Sequence, residues 1–252
     1  MKRPLGQHFL FDKSILKKIM DCSQVTPDDQ VVEIGAGTGT LTKLISGRAR
    51  KVIAIEIDRR LVAKLKERLP TRTNVEVITA NALKFPYESI KGKFKVVANI
   101  PYYITTPLLF RLLDFKEKIP SITLLLQKEI ASRIVASSGG RDYGVLSITV
   151  QLHTRPALKF LVPRGVFSPP PEVDSAVVHF KVSPKPLFKI QNEQFFLKVV
   201  KTAFSQRRKT ILNSLKSFEG IKQALLQAGI DSKLRPEKLS IGDFVRLTDA
   251  LQ

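Results

Sequence analysis

Three short stretches carry residue types that could do chemistry. VEIGAGTG (32–39) closes an apolar run and sets Gly35, Gly37 and Gly39 at alternate positions. Glycines so spaced let a backbone turn tightly and approach a ligand closely. Glu56 closes a second apolar run in IEID (55–58), where a carboxylate can accept both hydroxyls of a ribose. NIPYY (99–103) follows a third, FKVVA (94–98), and puts an amide, a proline and two tyrosines where a polar, glycine-rich turn is usual. The Asn99 side-chain oxygen is one acceptor there. The carbonyl of Ile100 is a second, held at the start of a stiff Ile-Pro unit by Pro101. Tyr102 adds a flat face for stacking.

Elements must bring these stretches together. QVVEIG (30–35), KVIAIEID (51–58), VEVIT (75–79), FKVVA and ITLLLQ (122–127) read as strands, and helical patterns alternate with them. In TTPLLFRLLDF (105–115), Thr106 reads as N-cap and Pro107 as the first helical residue, above a stripe of Leu108, Leu109, Leu112 and Leu113. The alternation predicts an α/β fold with a doubly wound, Rossmann-like parallel sheet. Ligands of such sheets bind just beyond the carboxyl ends of the strands, where all three stretches fall. LSITVQLHT (146–154) and VDSAVVHFKV (173–182) read as a closing antiparallel pair at one edge. SPKP (183–186) then punctuates the chain, and the rest is helical in pattern, with Ser240 an N-cap. The expected division is a domain over 1–186 and a small basic helical domain over 187–252, the latter with 13 Lys/Arg against 6 Asp/Glu from residue 184 on.

Charge narrows the partners. Forty-two Lys and Arg against 22 Asp and Glu give a formal net charge of +20 in 252 residues. So large a surplus points to a polyanion, with nucleic acid first. It is spread along the chain and not gathered on one amphipathic helix, which disfavours a membrane surface. No apolar run approaches the roughly 20 residues of a membrane span, and the basic start lacks an apolar signal core. Cys22 is the single cysteine, so an internal disulfide is excluded and a buried thiol in a reducing cytoplasm fits. No metal site is expected. His153 and His179 lie within apolar strand patterns and read as structural.

The glycine spacing is G-x-G-x-G, not the G-x-G-x-x-G of dinucleotide sites, with Glu33 two residues ahead. It resembles the S-adenosylmethionine site of class I methyltransferases. NIPY resembles the motif of enzymes that methylate an exocyclic amino group. The two motifs, with GQHFL (6–10), NA (81–82), FSPPPEVDS (167–175) and AFSQRRKT (203–210), are together similar to the ribosomal RNA adenine N6-dimethyltransferases, the KsgA/Erm superfamily. The basic AFSQRRKT stretch is more similar to the KsgA branch than to the Erm branch.

That resemblance implies roles. Gln7, His8 and Leu10 close over the methionine part of the cofactor, Gly35 and Gly37 line it, and Glu56 holds its ribose. Asn81 takes the adenine amine, and Asn99 faces both cofactor and target. Asn99, Ile100, Pro101 and Tyr102 grip the target adenine, with Phe167 on its second face. Residue 8 is His where Asn is common, and residue 81 is Asn where Asp is common. Arg207, Arg208 and Lys209 are the candidate RNA contacts. The implied substrate is a pair of adjacent adenines in a hairpin loop near the 3′ end of small-subunit rRNA, within an immature 30S subunit, modified by a monomer. Three other readings compete: an Erm-type enzyme of 23S rRNA, a DNA adenine methyltransferase, and a non-catalytic RNA-binding assembly factor. A dehydrogenase is opposed by the glycine spacing and by NIPY.

Overall fold

A computed structural model describes residues 8–69 and 73–252. The chain divides into two compact units, 1–131 with 155–184, and 132–154 with 185–252. The expected single boundary near 187 therefore moves: the second unit also takes a segment from the middle of the chain.

In the first unit, β1 (Phe9–Leu10) and α1 (Lys13–Ser23) precede β2 (Gln30–Ile34), α2 (Thr40–Ser46), β3 (Lys51–Glu56), α3 (Arg59–Arg68) and β4 (Val75–Thr79). Next come β5 (Lys95–Asn99), α4 (Thr105–Leu113), β6 (Ser121–Gln127) and α5 (Lys128–Val135), the last ending in the second unit. The second unit continues with α6 (Val145–His153), and the chain returns through β7 (Thr154–Val162), β8 (Phe167–Ser168) and β9 (Ser175–Val182). The seven-stranded sheet runs β4-β3-β2-β5-β6-β9-β7. The strands from β4 to β6 are mutually parallel, and β9 is antiparallel to β6. Strand order reverses between β2 and β5, so the crevice of a doubly wound sheet opens beyond Ile34 and Asn99. The central strands are near-continuous runs of Val, Ile and Leu because helices cover both faces. On one side Ile15, Leu16, Ile19 and Met20 of α1 pack with Leu41 and Ile45 of α2 against Val31, Val52, Val97 and Leu125 of the sheet.

Helix ends follow local chemistry. Asp12 accepts from the amides of Ser14 and Ile15 at the start of α1, and Asp58 from that of Arg60 at the start of α3. Thr106 is not a cap. A 3-10 turn over Tyr102–Ile104 runs straight into α4, which starts at Thr105. The leucine stripe of α4 is buried as its spacing predicts.

The stretch 146–153 is helical, not a strand, with Thr154 opening β7, and the edge pair is β9 with β7. Its β-branched alternation is overridden by packing. Ile148 and Leu152 enter the core of the second unit with Phe196, Val200, Phe244 and Leu247. Two of the intervening polar residues find partners in and just after α5: Ser147 donates to the Arg133 carbonyl (2.5 Å) and Gln151 to those of Ile134 (2.8 Å) and Ala136 (2.9 Å). The rest of that unit is α7 (Glu193–Ser205), α8 (Ile211–Ser214), α9 (Ile221–Gln227) and α10 (Ile241–Ala250), the last opened by a capping box of Ser240 and Asp243. His179 and His153 are buried. His179 Nδ1 meets Thr123 Oγ1 at 2.9 Å, and His153 Nε2 meets Glu193 Oε1 at 2.9 Å.

Candidate active site

A cleft of about 190 Å³ opens at the carboxyl ends of β2, β3, β4 and β5. The glycine loop forms its floor. Gly35 N and Ala36 N both donate to the Ile55 carbonyl (2.8 and 3.3 Å), which folds the loop onto β3. Gly35 has φ +73° and Gly37 φ +56°, backbone that favours glycine. A Cβ at Gly35 would lie 3.4 Å from the Asn99 carbonyl, and one at Gly37 3.3 Å from the Phe9 ring. Loop, β5 end and N-terminal segment therefore meet closely, and the positive φ at both glycines is what disfavours a side chain there.

Glu56 is buried at the end of β3, and three backbone amides hold it. Oε2 accepts from Gly37 N (2.9 Å), and Oε1 from Ile57 N (2.8 Å) and Asp58 N (2.9 Å). Each oxygen has two lone pairs, so Oε1 is filled and one lone pair on Oε2 remains for a further donor. The side chain thus shapes the glycine loop as well as facing the cleft. At the end of β4, the Asn81 Oδ1 accepts from Leu83 N at 2.9 Å, an Asx turn that leaves one lone pair on that oxygen.

At β5, Asn99 Nδ2 donates to the His8 carbonyl at 3.3 Å. His8 Nδ1 lies 2.8 Å from the Pro169 carbonyl, so that nitrogen carries the proton. The His8 ring stacks on Tyr102, with centroids 5.7 Å apart. The Tyr102 hydroxyl is 2.6 Å from Ser175 Oγ, and burial raises its pKa. Ile100 has a buried side chain, which leaves its backbone as the group available for chemistry.

His8, Leu10, Gly35, Gly37, Glu56, Asn81, Asn99, Ile100, Pro101 and Tyr102 all line this one cleft. Gln7 lies outside the described residues. Phe167 does not line it. Its ring is only 5% exposed, in register opposite Leu10 and packed in the apolar cluster with Ile19 and Val177. The short β1–β8 pairing, invisible in local sequence, draws it inward. In the second unit Arg207, Arg208 and Lys209 are all exposed in the turn after α7, and Arg207 also donates to the carbonyls of Arg141 (2.7 Å) and Tyr143 (3.0 Å).

Two further lining residues are given no role by the sequence motifs. Ile57, next to Glu56, is apolar yet 47% exposed. Glu33 is buried with an unpartnered Oε2. Among the described residues no Lys or Arg lines the cleft, although the chain carries +20 overall. A cationic adenosine compound fits these residues: a glycine cradle bare of side chains, a carboxylate for hydroxyls, an apolar flank and acidic walls. Among the described residues no cluster of His, Cys, Asp and Glu could hold a metal ion, and no helix is long and apolar enough to cross a membrane.

A model of the family described as ribosomal RNA adenine dimethylase matches residues 1–252. The chain belongs to the ribosomal RNA adenine dimethylase family. Ribosomal RNA small subunit methyltransferase A of Moorella thermoacetica is 45% identical, over 100% of this chain and 92% of that protein. Among solved structures, a dimethyladenosine transferase from Plasmodium falciparum superposes with TM-score 0.78 at 30% identity, over 95% of this chain and 96% of that one. The 23S rRNA methyltransferase ErmE superposes with TM-score 0.79 at 27% identity, over 96% and 99%. Membership in this family fits the class I methyltransferase fold expected from the strand–helix alternation.

Proposed function

We propose that this chain is an S-adenosylmethionine-dependent adenine N6-dimethyltransferase of small-subunit rRNA. It acts on two adjacent adenines in a hairpin loop near the 3′ end, as a monomer in the cytoplasm, on an immature 30S subunit. The observation that carries the reading is the convergence of glycine loop, Glu56, Asn81 and NIPY on one cleft. The small-subunit target is favoured over the large-subunit one by whole-chain identity, 45% to the Moorella enzyme against 27% to ErmE.

When bound, the cofactor supplies an electrophilic methyl group on a sulfonium. The chain's own residues do the rest. Glu56 accepts a ribose hydroxyl on the Oε2 lone pair its three amides leave free, Asn81 meets the adenine edge, and Ile57 flanks the base. His8 and Leu10 cover the methionyl end. An adenine N6 is a poor nucleophile because its lone pair is delocalised into the ring. Acceptors on its two N–H bonds favour a pyramidal nitrogen, and Asn99 Oδ1 with the Ile100 carbonyl are those acceptors. Tyr102, held by Ser175, stacks on the base. No strong base is needed, since the N6 proton becomes acidic only after methyl transfer. Rate enhancement comes mainly from holding the amine in line. The target must leave its stack to reach the cleft, which a loop permits. Arg208 and Lys209 contact phosphates.

The test is transfer of labelled methyl from S-adenosylmethionine to immature 30S subunits, with 23S rRNA and duplex DNA in parallel, followed by nucleoside analysis. N6,N6-dimethyladenosine confined to small-subunit rRNA is expected. Label in 23S rRNA would reassign the enzyme to the Erm type, and label in DNA would overturn the RNA assignment. No label with intact cofactor binding would leave an assembly factor.

A further inference from the structure

Glu33 sits in β2, the middle of the sheet, one residue before the strand end, with 1% of its surface exposed. It lines the cofactor cleft, yet its Oε2 has no hydrogen-bond partner. The groups around it are few. The Thr42 hydroxyl of α2 favours the charged form, but its Oγ1 makes no hydrogen bond of sound geometry. From β3 the carboxylate of Glu56 opposes ionisation. From β5 the cleft receives only the neutral amide of Asn99, and from the N-terminal segment the His8 ring. Among the described residues, His8, Tyr102 and Tyr103 are the other titratable side chains lining the cleft. A carboxyl that is desolvated, incompletely hydrogen-bonded and beside a second carboxylate favours its neutral form. Burial first, and Glu56 after it, push Glu33 up to about 8.

We propose that Glu33 is the cation-sensing residue of the cofactor site: it stands as the neutral acid in the ligand-free protein and ionises when the positively charged methionyl end of S-adenosylmethionine enters the cleft. This rests on the cofactor reading above. The proton leaves to solvent, and the carboxylate formed is balanced by the charge that displaced it. Binding is then linked to pH. Apparent affinity rises about tenfold per pH unit between roughly pH 6 and 8 and levels off above that range. Compounds of similar shape without a positive charge gain nothing from the rise.

The experiment is calorimetric titration of S-adenosylmethionine into the full chain at pH 7, in buffers of different ionisation enthalpy, with Glu33→Gln in parallel. The amide keeps the shape and the neutral state, so the variant folds, and a thermal melt checks this. The difference between the two proteins cancels protons exchanged by the cofactor's amine, by His8 and by Glu56. Release of close to one additional proton per cofactor by the wild type, with the steep pH dependence lost in Glu33→Gln, is expected. Should the variant fail to fold, the buffer dependence and pH profile of the wild type decide alone. Tight binding without that proton release overturns the inference and leaves the methyltransferase reading standing. Absence of any cofactor binding by folded wild type overturns both.

Discussion

Glu56 separates shape from charge in one side chain. Its carboxylate takes three backbone amides at 2.8–2.9 Å, one from the glycine loop and two from the turn into α3. Glu56→Ala leaves those donors without their acceptor. Hydrogen bonds to a charged group contribute about 1.5–3 kcal/mol each. Water entering from the cleft recovers part of that, so a net loss of about 2–4 kcal/mol is expected in the first unit. For a unit of this size each kcal/mol lowers the melting temperature by roughly 2–4 °C, hence a fall of roughly 5–15 °C. Loss of the ribose hydrogen bond raises the cofactor Kd by about 10–100-fold, the equivalent of one charged hydrogen bond. Glu56→Gln is the sharper probe. It is isosteric, but its NH2 must face either Gly37 N or the Ile57 and Asp58 amides, donor against donor. The glutamine should therefore be nearly as damaging as the alanine. Calorimetric melting and cofactor titration read both quantities. A Glu56→Gln protein that melts within about 1 °C of wild type and binds cofactor normally would refute the claim that the carboxylate anchors the loop.

Four further outcomes are expected. Asn99→Ala should abolish methyl transfer while RNA affinity in filter binding stays near wild type, because an amine acceptor is removed and no phosphate ligand; near-normal turnover would sink the positioning argument. Phe167→Ala should cost about 3–5 kcal/mol of stability through the cavity it opens, read by denaturant titration; an unaltered midpoint with lost turnover would return Phe167 to the substrate. Arg208→Ala with Lys209→Ala should flatten the salt dependence of RNA binding by about one unit for each phosphate no longer neutralised, without moving the melting temperature. Arg207→Ala should lower the melting temperature by freeing the Arg141 and Tyr143 carbonyls. The reverse pattern would exchange their roles.

What could be read in advance follows from which interactions are local. Apolar runs of Val and Ile ending in glycine, Glu or Asn-Ile-Pro mark strand ends, and the doubly wound rule collects those ends at one crevice. That is why Gly35, Gly37, Glu56 and Asn99 to Tyr102 could be picked from spacing, whereas His8, Leu10 and Asn81 follow only from the family resemblance. Residues 146–153 show the limit. Ser-Ile-Thr-Val-Gln-Leu alternates as a strand does, and only Ser147 and Gln151 reaching the end of α5, with Phe196 and Phe244 waiting to pack, make it a helix. Phe167 fails for the same reason, since its partner Leu10 is 157 residues away in the chain (167 − 10). Arg207 is visible as charge, but the carbonyls it donates to lie 64 and 66 residues earlier.

The distribution of charge joins these particulars. A protein of net charge +20 attracts a polyanion at long range and without sequence preference. The same field repels a cation, and the cofactor proposed here is one. The cleft resolves the conflict by composition: among the described residues no lysine or arginine lines it, and two carboxyl groups do. Two fixed negative charges so close would repel each other and weaken the fold wherever no cation is bound. Keeping Glu33 protonated until the cation arrives removes that penalty, while Glu56 stays tied to its three amides in either state. The acidic pair thus makes a site for a positive ligand inside a positive protein, and Glu33→Gln, which preserves shape and deletes only the capacity to ionise, isolates that capacity.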